Sequence, residues 1–434
     1  MHVTIIGTGY VGLVSGACFS DFGHIVTCVD KDAAKIARLE RGEIPIYETG
    51  LEDLVERNVK AGRLSFTTRL DSAVAPADVV MIAVGTPSRR GDGFADLSFV
   101  LAAAREIAPH LKAQTLVVTK STVPVGTGDQ VENTIAELRR NRDIVVVSNP
   151  EFLREGAAIE DFKHPDRVVV GADDERARHV MRELYRPLFI NETPILFTGR
   201  RTAELIKYAS NAFLATKITF INEMADLCEK VGANVQDVAR GMGLDRRIGS
   251  KFLHAGPGFG GSCFPKDIAA LVATGAQYDR PMTIVEAVMQ KNASRRLVMA
   301  ERIVSACGGS VAGKTLAVLG LTFKPNTDDM REAPSLVILP ALAEQGATVR
   351  AYDPAGMDEA KKLIPDMTTT SDPYACMEGA DALVILTEWD QFRALDLERV
   401  KMALRSPIVI DLRNIYKPAD MAERGFQYTS VGRA

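Results

Sequence analysis

Cys263 stands in the stretch Gly256-Pro257-Gly258-Phe259-Gly260-Gly261-Ser262-Cys263-Phe264-Pro265-Lys266-Asp267. Four glycines within six residues let backbone pack closely on a ligand. A cysteine that follows them and opens a helical turn lies where the helix dipole lowers a thiol pKa, which suits a nucleophile. Asp267, four residues on, reaches the same site. The alternative for any lone cysteine is a buried, inert thiol. Lys207 and Asn211 are spaced i, i+4 and face one way on a helix. A lysine among Tyr208, Ala209, Ala212 and Phe213 costs desolvation unless it has work or a partner, and beside an amide donor it can hold a developing alkoxide. The alternative is a snorkelling lysine with its head in water. Glu151 and Glu155 lie in Asn149-Pro150-Glu151-Phe152-Leu153-Arg154-Glu155-Gly156. If that segment is helical they share a face, and one is a candidate general base. The competing reading is an acidic helix start favoured by the dipole.

A second group of residues points to a cofactor. Gly7-Thr8-Gly9-Tyr10-Val11-Gly12 is a GxGxxG that follows an apolar strand and precedes a helical stretch. Its glycines allow a tight turn and close approach of a pyrophosphate to a helix N-terminus. Asp30 ends the next strand, where it accepts from a ribose hydroxyl and repels a 2′-phosphate, so NAD is expected rather than NADP. Val84-Gly85-Thr86-Pro87 and Ser121-Thr122-Val123-Pro124 each follow a strand and either line the cofactor crevice or are ordinary turns. Arg246, Arg247, Lys251 and His254 precede the cysteine loop, and Lys324 and Arg331 follow the strand that runs into Gly320. Both groups suit a nucleotide diphosphate, or else are solvated basic faces.

The elements that must position these residues are legible in the pattern. Val3–Ile6, Ile25–Val29, Val79–Val84, Leu116–Thr119 and Ile144–Val147 are apolar, rich in Val and Ile, and separated by helical stretches. They predict βαβ units in a parallel sheet covered on both faces. No Gly or Pro interrupts 200–231, so one helix about 45 Å long is expected there. A second long helix is expected over 282–307. The last third echoes the first: 315–319 runs into Gly320 as Val3–Ile6 runs into Gly7, 346–353 resembles 23–30, and 380–386 resembles 77–83. Pro407–Asp411 is a further strand. The fold class is therefore α/β, with two doubly wound, Rossmann-like domains joined by a long central helix and a helical middle. The expected domains are 1–200, 201–309 and 310–434.

Composition sets outer bounds. The chain has 434 residues, 46% hydrophobic and 25% charged, with a net charge of −4. That is too acidic for a broad nucleic-acid surface. No apolar run reaches the ~18 residues of a membrane span, and no signal peptide is expected at the start. Six cysteines without a CxxC argue against a disulfide framework or zinc site, so no metal is expected and a reducing cytoplasm is the default compartment.

These motifs, in this order, resemble those of the UDP-glucose/GDP-mannose dehydrogenase family of nucleotide-sugar 6-dehydrogenases. GTGYVG, VGTPS, KSTVPVGT, NPEFLREGAAIEDF, ELIKYASNAFLATKITFINE, GPGFGGSCFPKD and GLTFKPNTDDMREAPS together span essentially the whole chain. The resemblance implies an N-terminal NAD domain, a C-terminal UDP-sugar domain and a homodimer paired through the helical middle. It implies that UDP-glucose is the substrate and that two NAD⁺ and water carry it to UDP-glucuronate. By the same resemblance Cys263 is the nucleophile that forms a thiohemiacetal and then a thioester. Lys207 and Asn211 stabilise oxyanions, and Asp267 and Thr122 position or activate water. Glu155 is the candidate base, and Glu151 a substrate-contacting carboxylate that assists. NAD contacts are implied for Gly7, Gly9, Tyr10, Val11, Gly12, Asp30, Lys35, Thr86, Thr122, Glu155, Lys266 and Arg331. Substrate contacts are implied for Glu151, Phe152, Leu153, Lys207 and Asn211, for Phe252, Leu253, His254, Ala255 and Gly256, and for Gly260 and Lys324. Arg247 matches an arginine that some members send across the dimer.

Three alternatives compete. GDP-mannose or an N-acetylated UDP-sugar could replace UDP-glucose. A two-electron hydroxyacid dehydrogenase shares the dinucleotide fold, long helix and Lys-x-x-x-Asn pair but has no use for Cys263 or the last third. A non-catalytic NAD-sensing protein would have no need of the reactive groups.

Overall fold

The structure, a computed structural model, describes residues 1–89, 93–139 and 143–433. The chain divides into two compact units, Met1–Ser210 with Ala269–Arg280, and Asn211–Ile268 with Pro281–Ala434.

The first unit is built on β1 (His2–Ile6), β2 (Ile25–Val29), β3 (Leu64–Thr67), β4 (Val79–Ile82), β5 (Leu116–Thr119), β6 (Val145–Ser148), β7 (Val168–Gly171) and β8 (Ile195–Thr198). They form one sheet in the order β3-β2-β1-β4-β5-β6-β7-β8. All neighbours are parallel except β6 and β7, which meet antiparallel at Ser148 and Gly171. The first six strands follow the dinucleotide-binding order. The continuous apolar runs have the expected cause: in β4, Val79 and Met81 join the core on one face while Val80 and Ile82 join the core on the other. Strand β4 stops at Ile82 rather than reaching Val84, because Lys120 and Ser121 both donate backbone N–H groups to the Ile82 carbonyl. β3, β7 and β8 carry weaker signals and lie outside the five expected strands.

The second unit holds β9 (Thr315–Leu319), β10 (Thr348–Tyr352), β11 (Thr368–Thr369), β12 (Ala382–Ile385), β13 (Ile408–Asp411) and β14 (Gln427–Ser430), all parallel, in the order β11-β10-β9-β12-β13-β14. This repeats the order of the first six strands, so the echo in the sequence is an echo in topology. Alternate residues of β9 again serve opposite cores: Leu316 and Val318 on one face, Ala317 and Leu319 on the other.

Helices Arg200–Val231, Val235–Gly243, Phe264–Gln277 and Thr283–Ala306 form the middle of the chain. The first, of 32 residues, and the last, of 24, match the two long helices expected from uninterrupted sequence. None of the described helices is long and apolar enough to cross a membrane.

Candidate active site

In the first unit, the turn after β1 has the geometry of a phosphate cradle. Gly7 adopts φ +101°, and a Cβ there would stand 2.7 Å from the Ala83 carbonyl oxygen. A Cβ on Gly12 would overlap the Gly7 carbonyl oxygen, so the helix can start this close to the turn only with glycine. At Gly9 a Cβ would meet nothing within 4 Å. Gly9 is the N-cap of helix Tyr10–Asp21 and supplies no side-chain cap, so the helix presents its first N–H groups outward, with half-buried Val11 beside them. Asp30, at the end of β2, accepts from the Thr8 N–H at 2.9 Å, the Thr8 hydroxyl at 2.7 Å, the Asp32 N–H at 3.1 Å and Lys35 Nζ at 3.1 Å. Burial opposes its ionisation, but the bonds from Thr8, Asp32 and Lys35 outweigh it and hold the carboxyl at about 2. The fixed negative charge beside an open helix N-terminus fits a dinucleotide with a free 2′-hydroxyl. Thr86 Oγ1 donates to the Thr122 carbonyl at 2.9 Å, which joins the loops after β4 and β5.

The stretch after β6 corrects one expectation. Residues 151–154 are not helical, so Glu151 and Glu155 do not share a helix face. Glu151 instead turns back on its own chain, accepting from the Leu153 N–H at 2.5 Å, and pairs with Lys207 Nζ at 3.2 Å. Both side chains are buried. Lys207 also lies 5.2 Å above the Phe152 ring, which Arg167 covers at 3.5 Å. The snorkelling reading of Lys207 is therefore overturned: it is a buried cation with a buried carboxylate partner. Glu155 and Gly156 form the turn before helix Ala158–Lys163.

Two buried acids that the sequence did not single out support these groups. Glu204, one turn before Lys207, accepts from the N–H groups of Gly126 and Gly128 at 2.7 and 2.8 Å and from the Ser148 hydroxyl at 3.0 Å. It fastens the loop that carries Thr122 to the long helix, and burial raises its pKa despite the three donors. Glu48 accepts from the N–H groups of Gly156 and Ala158 and from the Tyr10 hydroxyl. Tyr10, expected at the cofactor, sends its hydroxyl there.

In the second unit, Cys263 immediately precedes helix Phe264–Gln277, and its carbonyl accepts from the Asp267 N–H at 2.8 Å. It stands at the end of the helix that favours negative charge. Of the six cysteines it is the one that is not buried, with Ser262 Oγ 3.5 Å from its sulfur. Burial pushes the thiols of Cys18 and Cys28 up to about 12 and that of Cys376 up to about 11, so these are inert packing groups. Asp267 is fully buried, accepting from Asn211 Nδ2 at 2.6 Å and Lys266 Nζ at 2.6 Å. Asn211 is thus aimed at Asp267, one turn along the helix from Lys207.

The glycines of the cysteine loop make room for close approach by the protein's own segments. A Cβ on Gly260 would overlap the Glu332 carbonyl oxygen, and one on Gly261, at φ +84°, would stand 2.7 Å from the Phe323 ring. The loop is clasped by buried Asn292, Arg295 and Arg296 of helix Thr283–Ala306. Asn292 bonds both N–H and C=O of Phe259, at 2.9 and 3.0 Å. Arg295 Nε donates to the Gly256 carbonyl at 2.6 Å, and Arg296 Nη2 to the Glu332 carbonyl at 3.0 Å. This packing brings the loop against 323–332, the segment with Lys324 and Arg331. Lys324 lies 5.3 Å over the Phe323 ring, and Arg331 forks onto Asp329. Just before the loop, Phe252 holds φ +65°, a left-handed conformation uncommon outside glycine, with its ring 6.1 Å from Phe264. Leu253 and Ala255 are buried, while His254 and Arg247 are exposed, Arg247 bonded to Asp245.

Comparison with known proteins agrees with these parts. Residues 1–189 match the NAD binding domain of the UDP-glucose/GDP-mannose dehydrogenase family, 201–294 its central domain and 317–418 its UDP binding domain. The chain belongs to the UDP-glucose/GDP-mannose dehydrogenase family. A UDP-glucose 6-dehydrogenase of Rhizobium meliloti (strain 1021) is 62% identical over the whole of both chains. A solved UDP-glucose dehydrogenase from Pyrobaculum islandicum is 40% identical, with a TM-score of 0.91 over 100% of this chain and 98% of that one. A UDP-D-ManNAc dehydrogenase from Pyrococcus horikoshii superposes with a TM-score of 0.87 over 100% and 99% of the two chains but is 27% identical. Between this chain and that neighbour, the backbone is shared much more closely than the side chains.

Proposed function

We propose that this family member oxidises UDP-glucose at C6 to UDP-glucuronate, using two NAD⁺ and one water and releasing two NADH and protons. The observation that carries a four-electron reaction is Cys263, a half-buried thiol at a helix start where the other five cysteines are buried. Choice of sugar rests on the 62% identity to the Rhizobium meliloti enzyme against 27% to the N-acetylmannosamine one. GDP-mannose and N-acetylated sugars are disfavoured on the same ground. A two-electron hydroxyacid dehydrogenase would leave both Cys263 and the UDP binding domain without a task.

NAD⁺, when bound, accepts hydride in each of the two oxidations. The remaining steps belong to the chain. The 6-hydroxyl loses its proton to a base, for which Glu155 is the candidate, and buried Lys207 and the Asn211 amide stabilise the oxyanion. The thiolate of Cys263 adds to the aldehyde carbon to give a thiohemiacetal, whose oxidation leaves a thioester on the same sulfur. Water held by Asp267 and Thr122 attacks the thioester carbon, and the thiol departs as the carboxylate forms. Splitting the oxidation through sulfur replaces one hard step with two easier ones. Glu151 pairs with Lys207 and contacts the sugar with Phe152 and Leu153. Phe252–Gly256, Gly260 and Lys324 hold the UDP-sugar, with Arg247 from a second subunit. Gly7, Gly9, Tyr10, Val11, Gly12, Asp30, Lys35, Thr86, Thr122, Glu155, Lys266 and Arg331 serve the cofactor.

The working unit in this reading is a cytoplasmic homodimer, with 1–200 for NAD, 201–309 for pairing and 310–434 for UDP. Support for pairing comes from Phe213, Phe220, Leu227 and Val231, which are 66, 43, 51 and 64% exposed along one stripe of the long helix. The deciding experiment is the end-point yield of NADH per UDP-glucose with NAD⁺ in excess. Two NADH per sugar is expected. One would leave Cys263 without its role, and none would redirect the search to other nucleotide sugars.

A further inference from the structure

We infer that Glu48 is a positioning residue that ties the glycine turn of the cofactor site to the loop carrying Glu151 and Glu155, so that filling the turn is felt in the loop. Glu48 belongs to none of the motifs above; it lies between helices Ala33–Glu40 and Leu51–Lys60. It is 8% exposed. Its Oε1 accepts from the Ala158 N–H at 2.8 Å, and its Oε2 from the Gly156 N–H at 2.7 Å and from the Tyr10 hydroxyl. The Gly156 N–H also lies 2.9 Å from the Tyr10 oxygen.

Each partner is placed where a small movement matters. Tyr10 is the first residue of the helix whose N-terminus the cofactor phosphates address. Gly156 is covalently joined to Glu155. Ala158 opens helix Ala158–Lys163, whose N-cap Ala157 has no side-chain acceptor, so Glu48 supplies the missing cap from far along the chain. Residues 151–154 have no helical ladder of their own, and the Arg154–Asp161 fork fastens that loop only to its own following helix. Burial, with the bond to Glu48 and its charge, raises the Tyr10 pKa, so the phenol stays a donor at working pH. The three-way junction is therefore a charge-assisted clasp between two segments of one unit, one that touches the cofactor and one that holds the candidate base.

The test is hydrogen–deuterium exchange of the full chain with and without saturating NAD⁺. In the wild type, NAD⁺ slows exchange in peptides covering 151–163. Glu48→Gln removes the carboxylate that joins the two segments and leaves every motif residue in place; it still binds NAD⁺ with an affinity within about twofold of the wild type but loses most of that slowing. Equal slowing in wild type and variant, or none in the wild type, overturns the coupling. The kinetic arm rests on the oxidation proposed above. Glu48→Gln lowers kcat by about tenfold or more while KM for UDP-glucose stays within about twofold, and Glu48→Asp recovers part of the loss. An unchanged kcat in Glu48→Gln overturns the positioning role. If the wild type gives no NADH with UDP-glucose, the functional reading falls while the exchange arm still decides this one.

Discussion

Cys263 and Asp30 show how far environment, rather than residue type, sets chemistry. The same thiol that packs inertly at Cys28 is only half-buried, at a helix start, at Cys263. Cys263→Ala is expected to abolish formation of UDP-glucuronate, read by chromatography of the product; full activity in the variant would remove the cysteine from the mechanism. Asp30 is held at about 2 by four hydrogen bonds. An unfolded aspartate titrates near about 3.9. The folded state therefore binds fewer protons between these values, so the stabilisation is complete above about pH 4 and lost as pH falls through about 2. Asp30→Asn should flatten the acid limb of a stability-versus-pH curve and raise kcat/KM for NADP⁺ relative to NAD⁺. An unaltered cofactor ratio would mean that Lys35 and the turn, not the charge, set the preference.

Among the elements, the loops divide into those that read themselves and those that do not. The turn Gly7–Gly12 was legible because strand, glycines and aspartate fall in one short window. The long helix was legible from the absence of Gly and Pro. The cysteine loop stands out in the sequence by its motif, but its structure was not legible, since its glycines are spaced by contacts with Glu332 and Phe323, far away in sequence. Gly260→Ala should therefore lower stability by about 1–3 kcal/mol, measured by denaturant unfolding, because its Cβ must displace the Glu332 backbone. A variant as stable as the wild type would show that the loop has slack. Asn292, Arg295 and Arg296 belong to no motif, yet they are buried and hold this loop from within. Glu48 left no signal either: its partner Gly156 is 108 residues away, and nothing local distinguishes it from an acid in a polar loop. Such residues are found only once the fold has brought their partners to them.

For the whole molecule, the exposed stripe Phe213, Phe220, Leu227 and Val231 is a demand that the chain on its own leaves open. In the proposed pairing the wild type elutes and scatters light as a dimer, and a Phe213→Asp, Phe220→Asp double variant should do so as a monomer. A wild type that is monomeric at working concentration would instead assign the stripe to another partner. The repeated strand order bears on how the chain is made. Every strand of the first sheet has been synthesised by Thr198, and the second sheet does not begin until Thr315. Neither sheet borrows a strand from the other, so the first can close while the rest of the chain is still on the ribosome. The price of the echo is that two sheets sharing a six-strand order are each other's nearest decoys. The helical middle separates their synthesis in time as well as along the chain, giving the first sheet the interval it needs to close before its double emerges.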